Sequence, residues 1–135
     1  MSKSVHLEEI PYFADSCELF DRIRDLPRAA LLDSSFPHAR GGRFDIITAQ
    51  PRCTDTPRLA PGASERECQA FFSALHQFHS EYYPSIQPVS AEIPFCGGLL
   101  GYLGYEVGKG LHSIRDATSP SSFPAAQLCA YDWSI

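Results

Sequence analysis

The run PFCGGLLGYLGYE, from Pro94 to Glu106, constrains this chain more than any other segment. Six of the nine glycines fall between Gly97 and Gly110, interleaved with Leu99, Leu100, Tyr102, Leu103 and Tyr105. Glycine weakens a strand and is usually kept there because another backbone or a ligand comes close. The apolar residues of the run do not alternate with polar ones, so neither face reads as solvated. The pattern predicts a buried strand pressed between layers.

The same glycines suggest phosphate binding, and their spacing argues against it. A P-loop places four residues between its first glycine and the Gly-Lys pair, followed by a hydroxyl that holds magnesium. Gly104 and Gly108-Lys109 are separated by three residues, and Gly110 follows the lysine. The run also holds no G-x-G-x-x-G, so the dinucleotide fingerprint is missing.

Composition narrows the remaining classes. A length of 135 residues suits about one domain, with 44% hydrophobic and 20% charged residues, the balance of an ordinary globular chain. The formal charge is −5 and no basic cluster occurs, which argues against nucleic acid and anionic membrane as partners. No apolar run has the length of a membrane span, and the polar start MSKSVHLEE is unlike a signal peptide. The expected location is the cytoplasm. Cysteines at 17, 53, 68, 96 and 129 are odd in number, widely spaced and without a C-x-x-C pair. They read as reduced, mostly buried thiols rather than as a disulfide framework or zinc site.

Along the chain, Val5 to Ile10 alternates loosely and suggests a first strand stopped by Pro11. Asp15 or Ser16 then caps a short helix with Cys17, Leu19, Phe20 and Ile23 on one stripe, ended by Pro27. Ala29 to Leu32 suits a buried strand. A loop over Pro37 to Gly42 separates it from a second strand, Arg43 to Ala49, and the pair reads as a hairpin with a long connection. Pro51, Pro57 and Pro61 make the next stretch irregular or edge-like. Ser64 followed by Glu67 forms a capping box, the clearest helix start in the sequence. Behind it Cys68, Phe71, Phe72, Leu75, Phe78 and Tyr82 recur at helical spacing, and a sheet is expected beneath them. Full burial of the three phenylalanines and Leu75 would contribute about 6–12 kcal/mol before ordering entropy. Pro84 and Pro88 end this helix. His112 to Pro124 reads as a surface loop. Ala125 to Ile135 reads as a last buried strand, with no cap, polar tail or turn after Trp133-Ser134-Ile135. An apolar edge left bare invites aggregation, so a longer parent protein is expected.

Several residues could carry chemistry. His76 and His79 lie three apart on the long helix, but no third ligand accompanies them, and they read as histidines at the rim of the core. Ser34, Ser35, His38 and Asp45 allow a hydrolase triad on paper, yet no G-x-S-x-G elbow is present. Arg43 and Asp45 share one strand face while Phe44 and Ile46 share the other. They read either as a salt-bridged or solvated pair, or as part of a polar small-molecule pocket. In the second case Ser34, the amides of Gly41 and Gly42, and Arg43 would line it, suiting a carboxylate, with Phe44 as a flat apolar wall.

Three segments act together at natural spacing: LLDSSFPHARGGRFDIITAQP (Leu31 to Pro51), PFCGGLLGYLGYEVGKGL (Pro94 to Leu111) and AYDWSI (Ala130 to Ile135). Nearly the whole chain resembles the N-terminal region of the chorismate-utilising enzymes. The R-F-D-I-x-x-A-x-P form at Arg43 to Pro51 is similar to the folate-pathway branch more than to the tryptophan-pathway branch, that of anthranilate synthase component I.

The resemblance implies an α+β domain over residues 1–135, mainly antiparallel sheet with flanking helices, belonging to a larger layered β-sandwich. It implies that the C-terminal half of the parent completes that sandwich and holds chorismate, magnesium and the catalytic groups. No catalytic or metal-binding residue is then expected in this chain, which would be inactive alone. The partners implied are that C-terminal half and a glutamine amidotransferase subunit supplying ammonia. A tryptophan site found in some members carries over onto Ser34, Gly41, Gly42, Arg43 and Phe44. Larger side chains precede the Arg-Phe pair in the member compared, where this sequence has two glycines. Two alternatives are a tryptophan-sensing domain of the anthranilate synthase branch and a stand-alone binding module without catalysis.

Overall fold

A computed structural model describes residues 5–83, 92–114 and 122–135. The chain divides into two units: Met1–Arg52 with Ser85–Gly98 and Tyr131–Ile135, and Cys53–Pro84 with Leu99–Ala130.

The first unit is organised by a short strand bonded on both edges. β1 (Ala30–Leu32) pairs antiparallel with β2 (Ile46–Thr48), matching Ala30 to Thr48, Leu31 to Ile47 and Leu32 to Ile46. On the other side, Ile47 and Ile135 exchange both backbone hydrogen bonds at 2.8 Å. Ile47, Thr48 and Ala49 are buried as a result, and the Thr48 hydroxyl meets its hydrogen-bond requirement by donating to the Trp133 carbonyl at 2.7 Å. Further ties run from the Tyr131 hydroxyl to the Arg28 carbonyl and from the Ser134 hydroxyl to the Phe95 carbonyl.

The expected hairpin is therefore present, with shorter strands. The second strand begins at Ile46 rather than Arg43 because the Ser34 amide, just past β1, bonds the Asp45 carboxylate and not a ladder carbonyl. Val5 to Ile10 forms no strand; Leu7 and Ile10 are exposed and no ladder receives them. α1 (Ser16–Phe20) is capped by Asp15, whose carboxylate accepts from the Cys17 amide at 2.9 Å. It stops short of Ile23, and separate turns carry the chain to Ala29. No residue of α1 is buried, so tertiary packing does not extend it.

In the second unit, α2 (Glu65–Tyr82) starts at the expected capping box. Glu67 Oε2 accepts from the Ser64 amide at 2.8 Å and the Ser64 hydroxyl at 2.6 Å, while the Ser64 hydroxyl accepts from the Glu67 amide. These bonds hold the Glu67 carboxyl below the ordinary glutamate range. Pro84 and Pro88 lie outside the described residues, as do residues 115–121 of the expected loop. Along the apolar stripe only Cys68 and Phe71 are fully buried; Phe72 is exposed, and Phe78 stacks on Tyr82 at 4.1 Å between ring centroids. The stripe contributes less burial than its spacing suggested.

β3 (Gly98–Leu103) and β4 (Ala126–Tyr131) form an antiparallel pair, and bridges from Cys53 to Ala130 and Leu59 to Ala126 flank β4 on its other side. The glycine-rich run is thus strand for only half its length. Its far end is exposed, and Tyr105–Leu111 turns into a helix, α3. The core joins Leu59, Cys68, Phe71, Val107, Ala125 and Ala126, so α2 packs on α3 as well as beside the sheet. Gly101 shows why the strand tolerates glycine: a Cβ there would overlap the Gln127 carbonyl oxygen, with Leu128 Cα also at 2.6 Å. Of the five free cysteines, Cys68 and Cys129 are buried, Cys53 and Cys96 half-buried, and Cys17 exposed.

Two substitutions check this account. Ser64→Ala is expected to cost about 1 kcal/mol by removing the cap. Gly101→Ala is expected to cost about 1–3 kcal/mol by overpacking β3 against β4. Urea titrations followed by circular dichroism measure both; wild-type midpoints would refute the local assignments.

Candidate functional site

The connection between β1 and β2 folds on itself before it reaches the strand. Asp33 Oδ1 accepts from the Ser35 amide at 2.6 Å, an Asx-type turn. Ser35 takes the left-handed conformation (φ 60°), and its carbonyl accepts from the Ala39 amide at 2.8 Å. The Gly42 amide then bonds the Ala39 carbonyl. This compact loop turns Ser34 toward Asp45.

Asp45 Oδ1 accepts from both the Ser34 amide, at 2.8 Å, and the Ser34 hydroxyl, at 3.0 Å. The Ser16 hydroxyl lies close by at the start of α1, lining the same hollow. The Ser34 amide first, then the Ser16 hydroxyl, hold the Asp45 carboxyl below the ordinary aspartate range. Arg43 is not its partner. The guanidinium instead lies over the Phe44 ring, 5.3 Å from its centroid, and neither Arg43 nor Asp45 forms an ion pair among the described residues. Of the readings open from sequence, a salt bridge between Arg43 and Asp45 does not form: Asp45 reaches back to Ser34 instead.

These residues border a cavity of about 340 Å³ lying within the first unit. Ser34, Phe36, Arg43, Phe44 and Asp45 contribute from the β1–β2 connection, Ile10 to Ala14 from the segment before α1, and Ile47 and Ile135 from the paired strands. Most of its lining residues are apolar, with Ser16, Ser34, Arg43 and Asp45 as convergent polar groups, a make-up that suits a small-molecule site.

Of the positions singled out in the sequence, the cavity brings together Ser34, Arg43 and Phe44. Gly41 and Gly42 are not in its lining. Gly42 has a packing role, since a Cβ there would approach the Ser34 carbonyl oxygen to 2.5 Å. Nothing lies within 4 Å of a Cβ at Gly41. The wall from Ile10 to Ala14 escaped sequence reasoning, although the dense apolar string IPYFA was its signal.

The competing chemistries look different in three dimensions. The Ser34 hydroxyl donates directly to Asp45, with no histidine between them as a triad requires. His76 and His79 are both exposed on α2; the His79 ring lies 5.5 Å from that of buried Tyr83, at the rim of the core as expected. No group of three or more His, Cys, Asp or Glu among the described residues could hold a metal ion. Lys109, the lysine of the near-miss phosphate motif, sits on α3 and pairs with Glu106 at 3.4 Å. No helix among the described residues is long and apolar enough to cross a membrane.

Because Asp45 is held ionised, its contribution to stability has a defined pH window. It is complete above the unfolded value of about 3.9 and is lost as pH falls through the lower folded value. Asp45→Asn is therefore expected to destabilise the protein at neutral pH, with the difference shrinking steadily below about pH 4. Denaturation midpoints of both proteins between neutral and acidic pH measure this; a pH-independent gap would contradict it.

Comparison with known proteins gives a consistent outcome. No protein-family model matches the chain. The aminodeoxychorismate synthase component 1 of Klebsiella aerogenes is 32% identical over 93% of this chain and 30% of its own length. Its counterpart in Escherichia coli (strain K12) is 31% identical over 86% of this chain and 27% of its own length. That of Salmonella typhimurium is 28% identical over 93% and 29%, respectively. The chain spans less than a third of the length of these curated relatives. Over nearly all of its length the chain is thus similar to members of the aminodeoxychorismate synthase component 1 family.

Proposed function

We propose that this chain is the N-terminal, non-catalytic domain, residues 1–135, of an aminodeoxychorismate synthase component 1 working in the cytoplasm. The whole enzyme would aminate chorismate to 4-amino-4-deoxychorismate, toward p-aminobenzoate and folate. One observation carries this reading: the match takes in 93% of this chain but only 30% of the relative's length. Most of a component 1 polypeptide thus has no counterpart here, and the reading assigns chorismate binding and catalysis to that share. The reading assigns magnesium to that share too; among the described residues no three His, Cys, Asp or Glu gather in a way that fits the ion. A protein called component 1 has at least one companion, and the proposal makes that companion a glutamine amidotransferase delivering ammonia.

Within this reading the cavity beside Ser34, Arg43 and Phe44 is a tryptophan site that steadies the domain or senses the amino acid. Its apolar lining and the guanidinium suit an aromatic body carrying a carboxylate. The cavity's containment in one unit favours a second reading, a ligand-binding module that acts without chemistry of its own.

Given chorismate, ammonium and magnesium, the purified chain is expected to form no aminodeoxychorismate. Joined to the remaining portion of the Escherichia coli component 1, it is expected to support turnover. Product from the chain alone would overturn the assignment of catalysis elsewhere, and an inactive but folded and soluble chimera would favour the stand-alone module. Calorimetry with L-tryptophan tests the cavity separately, with saturable binding at one site per chain expected.

A further inference from the structure

The polar groups of the cavity differ in what they can offer a ligand. Ser34 donates both its amide and its hydroxyl proton to Asp45 Oδ1. A hydroxyl so committed turns only lone pairs toward anything else. Asp45 itself accepts from Ser34 twice, both times at Oδ1, leaving about half of a carboxylate's four lone-pair sites, those of Oδ2, open. This corner is therefore acceptor-only and negative. It disfavours a ligand carboxylate and suits an ammonium.

Arg43 has the opposite character. A guanidinium is donor-only and stays positive throughout the accessible pH range. It lines the same cavity, lies over Phe44, and has no carboxylate partner among the described residues. Had Arg43 and Asp45 paired, the cavity would have been electrically closed. Instead it presents two separate, opposite charges beside apolar surface from Phe36, Phe44 and Ile47.

We propose that Asp45, supported by Ser34, is the specificity-determining residue that receives a ligand ammonium, so that the cavity selects the zwitterion of an apolar α-amino acid. Arg43 receives the carboxylate of the same ligand. This inference rests on the reading of the cavity as an amino-acid site and adds to it the group that recognises the amine. It also reverses one expectation from sequence: the Ser34 end of the cavity is where a carboxylate would be repelled.

The test uses three probes on the intact chain, measured by calorimetry: L-tryptophan, indole-3-propionate, which lacks the ammonium, and tryptamine, which lacks the carboxylate. Each deletion removes a charge-assisted contact, so each analogue is expected to bind about ten- to a hundredfold more weakly than tryptophan. In Asp45→Asn the preference for tryptophan over indole-3-propionate is expected to collapse toward unity. In Arg43→Gln the preference over tryptamine is expected to collapse in the same way. Equal binding of tryptophan and indole-3-propionate by the wild-type protein would overturn the proposal while leaving the amino-acid site standing. So would an Asp45→Asn variant that weakens both probes by one factor, since that is the mark of a purely structural carboxylate. Absence of binding by all three probes would remove the underlying reading and this inference with it. The wild-type comparison needs no variant, so misfolding of Asp45→Asn cannot mask the outcome.

Discussion

The first unit depends on a single exchange of backbone hydrogen bonds between Ile47 and Ile135. Without it β2 would be the edge of a two-stranded ribbon, an arrangement of marginal stability in water. With it, a three-residue strand is bonded on both sides and Ile47, Thr48 and Ala49 lose their solvent. Everything around the cavity follows from that fixed strand. Arg43, Phe44 and Asp45 immediately precede it, so anchoring Ile46 sets where those side chains can reach. Ser34 stands at the matching end of the partner strand, which is why eleven positions of sequence separation shrink to one hydrogen bond.

The cavity also shows how a neighbouring charge pair is kept apart. Arg43 and Asp45 are two residues from each other and would pair readily across a regular strand. The Ser34 amide competes for the carboxylate and wins because the Asx-type turn at Asp33 presents the loop in a fixed geometry. Each donor bond to Asp45 stabilises its ionised form, so the loop and the charge reinforce each other. A site of this type is built by backbone geometry as much as by side-chain identity.

Local signals were readable in the sequence and nonlocal ones were not. The helix α2 begins where Ser64 and Glu67 require, because a capping box is satisfied within four residues. The β1–β2 hairpin was visible in outline, but Asp45's turn toward Ser34 shortened its second strand. Val5 to Ile10 had the alternation of a strand and lacked a neighbour to complete it. In the glycine-rich run, three glycines between 104 and 110 hid α3, which forms in spite of their poor helix propensity because Val107 and Leu111 pack with the α2 core. Among the site residues, Ser34, Arg43 and Phe44 were legible both as one of two readings of the local residues and from family resemblance. The role of Asp45 and the wall from Ile10 to Ala14 required tertiary structure, since both depend on segments distant in sequence.

The uneven exposure of the five thiols gives the chain internal clocks. Cys17 stands on the exposed α1 of the first unit and is open to a labelling reagent without any opening of the fold. Cys68 and Cys129 are sealed in the second unit, and burial also pushes the Cys68 thiol above its ordinary pKa. A reagent reaches those two only during excursions that part α2 from α3 or disturb β4. Their labelling rates therefore report the breathing of one unit while Cys17 serves as the reference, with no probe introduced into the protein.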